Sequence, residues 1–107
     1  MTTNASATLY RREYDEDTRR VTWTRVELGA VFWQDERHVS AGNGVFSAAN
    51  SVLVLIPNTN ESPAVEGRIV RGTVDAETPP KGALSIVSAV LIDFGSSGMH
   101  HWEVTAK

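Results

Sequence analysis

The feature that most constrains this chain is a period of two. Over residues 8–14, Leu9, Arg11 and Glu13 alternate with Thr8, Tyr10, Arg12 and Tyr14, so one face carries both tyrosines. Val21 and Trp23 then share a face, while Thr22, Thr24, Val26 and Leu28 share the other. Near the end, His100, Trp102 and Val104 alternate with Met99, His101, Glu103 and Thr105. Alternation of this kind belongs to β-strands, whose successive side chains point to opposite faces. No long stretch repeats every 3.6 residues, so a helix is expected only as a single turn, with Ser47–Ser51 the candidate.

Further strands follow from the same reading. Gly29 interrupts the second one before Val31-Phe32-Trp33, the signature of a β-bulge or sharp bend within a long strand. Ser51–Ile56 is a short apolar run closed by Pro57, as in a strand buried on both faces. Residues 68–74 form a strand kinked at Gly72, and Leu84–Asp93 the longest late strand, with Leu84, Ile86, Ser88, Val90 and Ile92 on one face. Turn-forming clusters separate them: Asp15–Thr18, Gly42-Asn43-Gly44, Pro57–Asn60, Thr78–Gly82 and Gly95–Gly98. The expected fold is all-β. Residues 1–107 form one small domain, a β-barrel or sandwich of about six strands with long loops.

Composition removes whole classes of chemistry. With no cysteine among its 107 residues, the chain has no disulfide, thiolate zinc site, iron–sulfur cluster or cysteine nucleophile. The three histidines are His38, His100 and His101. Adjacent residues of a strand face opposite ways, so His100 and His101 do not readily share one metal. His101 and Glu103 share a face, but a third ligand is not marked, so both are expected on a solvated or interface face with Trp102 packed inward. Gly42-Asn43-Gly44 lies in a loop rather than between strand and helix, which makes it a turn and not a phosphate cradle. No cofactor, metal or catalytic residue is expected, and the chain reads as a non-enzyme. A polar N-terminus and a longest apolar run of Val52–Pro57 give no targeting or membrane-spanning segment.

The charges are distributed unevenly. Residues 1–37 hold 13 of the 23 charged side chains, and His38–Asn60 holds none. That uncharged loop-plus-strand segment is rich in Gly, Ala, Ser and Asn, too polar for core throughout yet without the charges that keep a surface solvated. It reads as a long hairpin connection or a surface lying against another protein. Gly42, Asn43, Gly44, Phe46, Asn58 and Asn60 are its candidate interface or channel residues. Arg11-Arg12 and Arg19-Arg20 bracket the first hairpin, but Glu13, Asp15, Glu16 and Asp17 lie between them. Ion pairs across the hairpin are expected there rather than a nucleic-acid patch. Phe32 and Trp33 are neighbours and must face opposite sides, so one of them lies at an interface or under a covering loop. Both are candidate interface aromatics.

Two segments carry a family resemblance. Residues 8–25, Thr8-Leu9-Tyr10-Arg11-Arg12-Glu13-Tyr14-Asp15-Glu16-Asp17-Thr18-Arg19 followed by Val21-Thr22-Trp23-Thr24-Arg25, resemble the start of a family of small proteins encoded in phage and prophage head–tail morphogenesis modules. Residues 86–104, a strand, a short polar turn and Met99-His100-His101-Trp102-Glu103-Val104, are similar to its close. Ser51–Pro57 and Arg68–Gly72 match its middle strands in order, whereas residues 59–66 and 76–82 depart from it.

The resemblance implies a head–tail connector of stopper or head-completion type, a small β-barrel with long loops. Its implied location is the virion neck, with the host cytoplasm as the place of assembly. It would form a homo-oligomeric ring, hexameric in expectation, below the portal and adaptor and above the tail terminator or tail, with genomic DNA passing nearby. The resemblance transfers no catalytic residue. Six copies at −3 each carry −18, which repels DNA in transit if the acids line the channel. The alternatives are a tail-tube or tail-terminator component and, in a different class, a small ligand-binding β-barrel.

Overall fold

The computed structural model describes residues 2–42 and 45–107, over 36–50 and at Ser97 as backbone alone. Six strands carry the period-two pattern: β1 (Ala5–Asp15), β2 (Arg20–Gly42), β3 (Val45–Ile56), β4 (Arg68–Arg71), β5 (Leu84–Ile92) and β6 (His101–Ala106). They pair antiparallel in the order β1-β2-β3-β6-β5-β4, and β4 returns to β1 to close a barrel. The helical turn expected at Ser47–Ser51 is strand instead, in register with β2 from Glu36↔Ser51 to Ser40↔Ser47. Pairing with a long partner strand there outweighs the local Ser/Ala/Asn composition. A single 3-10 turn occurs at Ser97–Met99, inside the polar Gly-Ser-Ser-Gly connection.

The bend expected at Gly29 is present. Ala5 pairs with Val31 and Ala7 with Leu28, so β2 carries one extra residue between Leu28 and Val31. Up to Val31 β2 pairs with β1, and from Phe32 onward with β3. A second bulge puts an extra residue on β5, between the pairs Ile86↔Ala106 and Ser88↔Thr105. It overturns the single face drawn through Leu84–Ile92. Ile86 is buried, but after Val87 it is Ala89 that packs against the core, while Val90 stands outside.

β4 is also shorter than the kinked strand read from residues 68–74. Gly72 takes φ +91, its N–H donates to Ser6 O at 2.8 Å, and the chain leaves the sheet there.

The interior is filled by side chains from all six strands. Leu9, Val31, Val54, Ile56, Ile69 and Val104 are fully buried, with Trp33 and Ile86 beside them. The run Ser51–Ile56 is buried on one face only. Val52, Val54 and Ile56 point into the core, whereas Leu53 and Leu55 are half-buried on the outside, opposite Gln34 and Phe32. Gly67 sits where the β3–β4 loop presses on β1. A Cβ there would stand 3.0 Å from both Ala64 O and Tyr10 O and 3.3 Å from Ile86 Cδ1.

Antiparallel alternation around the barrel sends the two long hairpins out of opposite ends. The β1–β2 arm continues for the five pairs from Arg11↔Thr24 to Asp15↔Arg20, about 17 Å of strand. The β2–β3 arm continues for the seven pairs from Glu36↔Ser51 to Gly42↔Val45, about 24 Å. The radius of gyration is accordingly 15.4 Å, against about 13 Å for a compact chain of this length.

Because both oxygens facing Gly67 belong to the backbone and cannot swing away, Gly67→Ala is expected to destabilise the fold by about 1–3 kcal/mol. Urea unfolding followed by tryptophan fluorescence measures this, and an unchanged midpoint would show that the loop can lift off β1.

Candidate functional site

A filled interior leaves function to the outer wall, the arms and the loops. The outer face of β1 is covered where it meets β2 and β4. Tyr10, Thr8 and Arg25 point away from the core, and residues 72–76 cross over them. The Tyr10 hydroxyl donates to Ala76 O at 2.7 Å. Thr8 Oγ1 donates to Gly72 O at 2.8 Å and accepts from the Val74 N–H at 3.0 Å. Arg25 Nε donates to Val74 O, and its Nη2 reaches Glu27 Oε1 at 2.6 Å. The hydrogen bond that Arg25 donates to Glu27 raises the Arg25 pKa above its ordinary value, so the guanidinium stays charged. This explains how Thr8 and Tyr10 are fully buried although they face outward.

The paired arginines make their bonds elsewhere than expected. Arg11 Nη2 meets Glu61 Oε2 at 2.6 Å, and Arg12 Nη1 meets Glu66 Oε2 at 3.3 Å. Both partners lie on the β3–β4 loop, so these ion pairs tie the base of the β1–β2 arm to that loop rather than bridging the hairpin. Arg11 Nε is buried without a hydrogen-bond partner. The hairpin turn itself is held by Asp15 Oδ1, which accepts the N–H of Asp17 at 2.9 Å.

One face of the arm is aromatic and apolar. Strand register sets Tyr14 opposite Val21 and Arg12 opposite Trp23. The Arg68 guanidinium lies 5.6 Å from the Trp23 ring centroid, within cation–π range.

Of the two neighbouring aromatics, Trp33 belongs to the core. Its backbone N–H donates to Asn4 Oδ1 at 2.8 Å, and its indole N–H to Asp35 Oδ1 at 3.2 Å. Phe32 is the outward one, half-buried beside Leu55. Asn4 also donates from Nδ2 to Trp33 O at 3.0 Å, so its amide extends the sheet past the bulge. An asparagine five residues ahead of Leu9 gave no signal of this.

The uncharged candidates do not form one surface. Gly42 ends β2 on the longer arm; Asn43 and Gly44 lie outside the described residues, as does the side chain of Phe46. Asn58 and Asn60 sit at the other end of the barrel, in a turn where Asn58 Oδ1 accepts the Asn60 N–H at 3.1 Å. The charge-free stretch is therefore chiefly two paired strands and not a single loop.

His101 and Glu103 share the outer face of β6, with Nε2 and Oε1 3.2 Å apart, and His101 Nδ1 lies 2.8 Å from Met99 O. No third His, Cys, Asp or Glu joins them among the described residues. Trp102 packs against the core, and its indole N–H donates to Thr59 O at 3.4 Å. His100 Nε2 is buried without a partner.

Two open grooves mark the outside. One, of about 520 Å³, lies where β4 and β5 part and is lined by Arg12, Glu66, Arg68 and Val87 among others. The other, of about 320 Å³, lies between the β2 bulge and Pro57-Asn58.

Thr8→Val keeps the shape but leaves the Val74 N–H and Gly72 C=O without their buried partner. The expected cost is about 1–3 kcal/mol, with faster amide exchange confined to residues 72–76. Exchange mass spectrometry that finds those amides unchanged would show that the covering segment is held by something other than Thr8.

Comparison with known proteins adds a family. A family model described as a family of unknown function (DUF6751) matches residues 1–107, and the chain belongs to that family. No curated protein and no solved structure matches it.

Proposed function

We propose that this chain, a member of that family, is a structural subunit that acts by assembling with its own copies, and that the assembly is the head–tail connector ring in the neck of a tailed phage. The observation that carries the reading is a closed barrel with a side-chain-filled interior and hairpin arms leaving opposite ends. A closed barrel removes most free strand edges, so the body stays a discrete unit while the arms reach neighbours. Arms at both ends suit a subunit that must hold one structure above it and another below. The resemblance of residues 8–25 and 86–104 to head–tail morphogenesis proteins supplies the context, with portal and adaptor on one side and tail on the other.

A packed interior also weighs against the ligand-binding barrel. Both grooves described above lie on the outer surface and are open to solvent. Copy number separates a connector from a tube component.

The test is to purify virions and quantify this chain by mass spectrometry alongside imaging of the neck. One ring's worth of copies per particle is expected. Many stacked rings would replace the connector by a tube protein, and absence from particles would overturn the reading. His101→Ala combined with Glu103→Ala is expected to leave incorporation unchanged, since an outward His–Glu contact of this kind contributes under about 1 kcal/mol. Loss of a chemical step with retained incorporation would instead mark the pair as catalytic.

A further inference from the structure

The barrel is closed at its β4–β5 seam by a short pairing, past which β5 runs on. β4 pairs with β5 over only Arg68↔Ser85 and Ile69↔Leu84. The last rungs are Ile86 N–H to Gly67 O at 3.0 Å and Glu66 N–H to Ile86 O at 3.2 Å. Glu66 then takes φ 77, in the left-handed region, and the loop turns away from β5. Residues 88–92 pair with β6 on one side only, and no backbone hydrogen bond meets their other side among the described residues. Free edges are normally shielded by charge, yet residues 83–92 contain no charged side chain.

Exposed apolar side chains gather in two places. Among the described residues, Val87, Val90 and Leu91 line this edge, Val65 adjoins its foot, and Phe94 (72% exposed) and Met99 follow it. The other place is the β1–β2 arm, where Tyr14 (54% exposed) and Val21 face each other across the strands. A lone apolar residue on a surface is ordinary, but a contiguous set marks a contact.

Charge selects the partner. The groove at the foot of the edge is lined by two guanidiniums, Arg12 and Arg68, and one carboxylate, Glu66. The tip of the arm carries three successive acids, Asp15, Glu16 and Asp17, followed by Arg19 and Arg20, so three acids against two arginines leave it at −1. The strand directions also place the arm and the free stretch of β5 at the same end of the barrel. Two surfaces at one height can meet between copies related by rotation about an axis along the barrel.

We propose that the β1–β2 arm of one copy docks on the β5 edge of the next, setting Tyr14 and Val21 against Val87 and Val90 and the acidic tip against Arg12 and Arg68. The contact joins two different surfaces, so it repeats from copy to copy and closes into a ring when the rotation closes. It rests on the self-assembly part of the function proposed above and deepens it by naming the interface.

The absence of native cysteine makes the test direct. Tyr14→Cys and Val90→Cys are made in separate full-length chains, mixed, and treated with a short bis-maleimide. Lys81→Cys, exposed on the β4–β5 connection at the opposite end, replaces Val90→Cys as the control. Linked 14–90 dimers are expected at about tenfold or more over the 14–81 control. Dimers formed by either variant alone at equal yield, or no excess over the control, would overturn the proposal.

Tyr14→Ser with Val21→Ser should weaken self-association at least about tenfold in sedimentation, the loss expected from two apolar contacts. The melting temperature should hardly move, because both side chains are exposed. Rings that persist in this variant would overturn the arm–edge contact and leave the connector reading standing. A native chain that neither associates at high concentration nor enters particles would overturn both.

Discussion

The fold depends on β2 bending without breaking. A strand of 23 residues, Arg20–Gly42, is too long to stay straight inside so small a barrel. The extra residue between Leu28 and Val31 lets it leave β1 and take up β3 while its side chains keep an inward face. Leu28, Val31 and Trp33 are all buried, although they are separated by odd and even steps. Without the bulge, Val31 and Trp33 would fall on the outward face, and the barrel would lose two of its larger core side chains. The Asn4 amide secures the far side of this bend by occupying both backbone groups of Trp33.

Charge does a different job from burial. The acids and arginines of residues 11–27 look in sequence like a solvated hairpin, but the structure spends them on fixing loops. Arg11 and Arg12 hold the β3–β4 loop through Glu61 and Glu66, and Arg25 holds residues 74 and 75 through Val74 O and Asp75. All four contacts span about fifty positions of sequence, so no local pattern announces them. The surfaces left without charge are then the free edge of β5 and, by sequence, the longer arm beyond Arg37.

What was legible in the sequence follows the same division. Period-two alternation and turn residues located all six strands, because both are local consequences of backbone geometry. Gly29 announced the bulge in β2 since the glycine itself breaks the pattern. The bulge at Val87 was not legible, because valine looks like any strand residue, and its effect is to reverse the facing of Ser88–Ile92. The Phe32-Trp33 pair could be read as one inside and one outside. Which was which depended on the extra residue between Leu28 and Val31, a matter of register. The uncharged segment was visible as an anomaly, but only the pairing of β2 with β3 divided it between opposite ends of the barrel.

In the proposed ring, the angle between neighbours is set by how the β1–β2 arm leaves the barrel relative to the β5 edge. The arm is paired to itself over five residue pairs, and its base is anchored by Arg11–Glu61 at 2.6 Å. Arg68, stacked on Trp23, braces its aromatic face from β4. These contacts cross from the arm to the two elements, β4 and the β3–β4 loop, that lie between it and the free edge. The same residues that hold the arm therefore hold its distance from the surface it is proposed to offer the next copy. In that proposed ring, copy number would follow from a few ion pairs and one cation–π contact rather than from the barrel core.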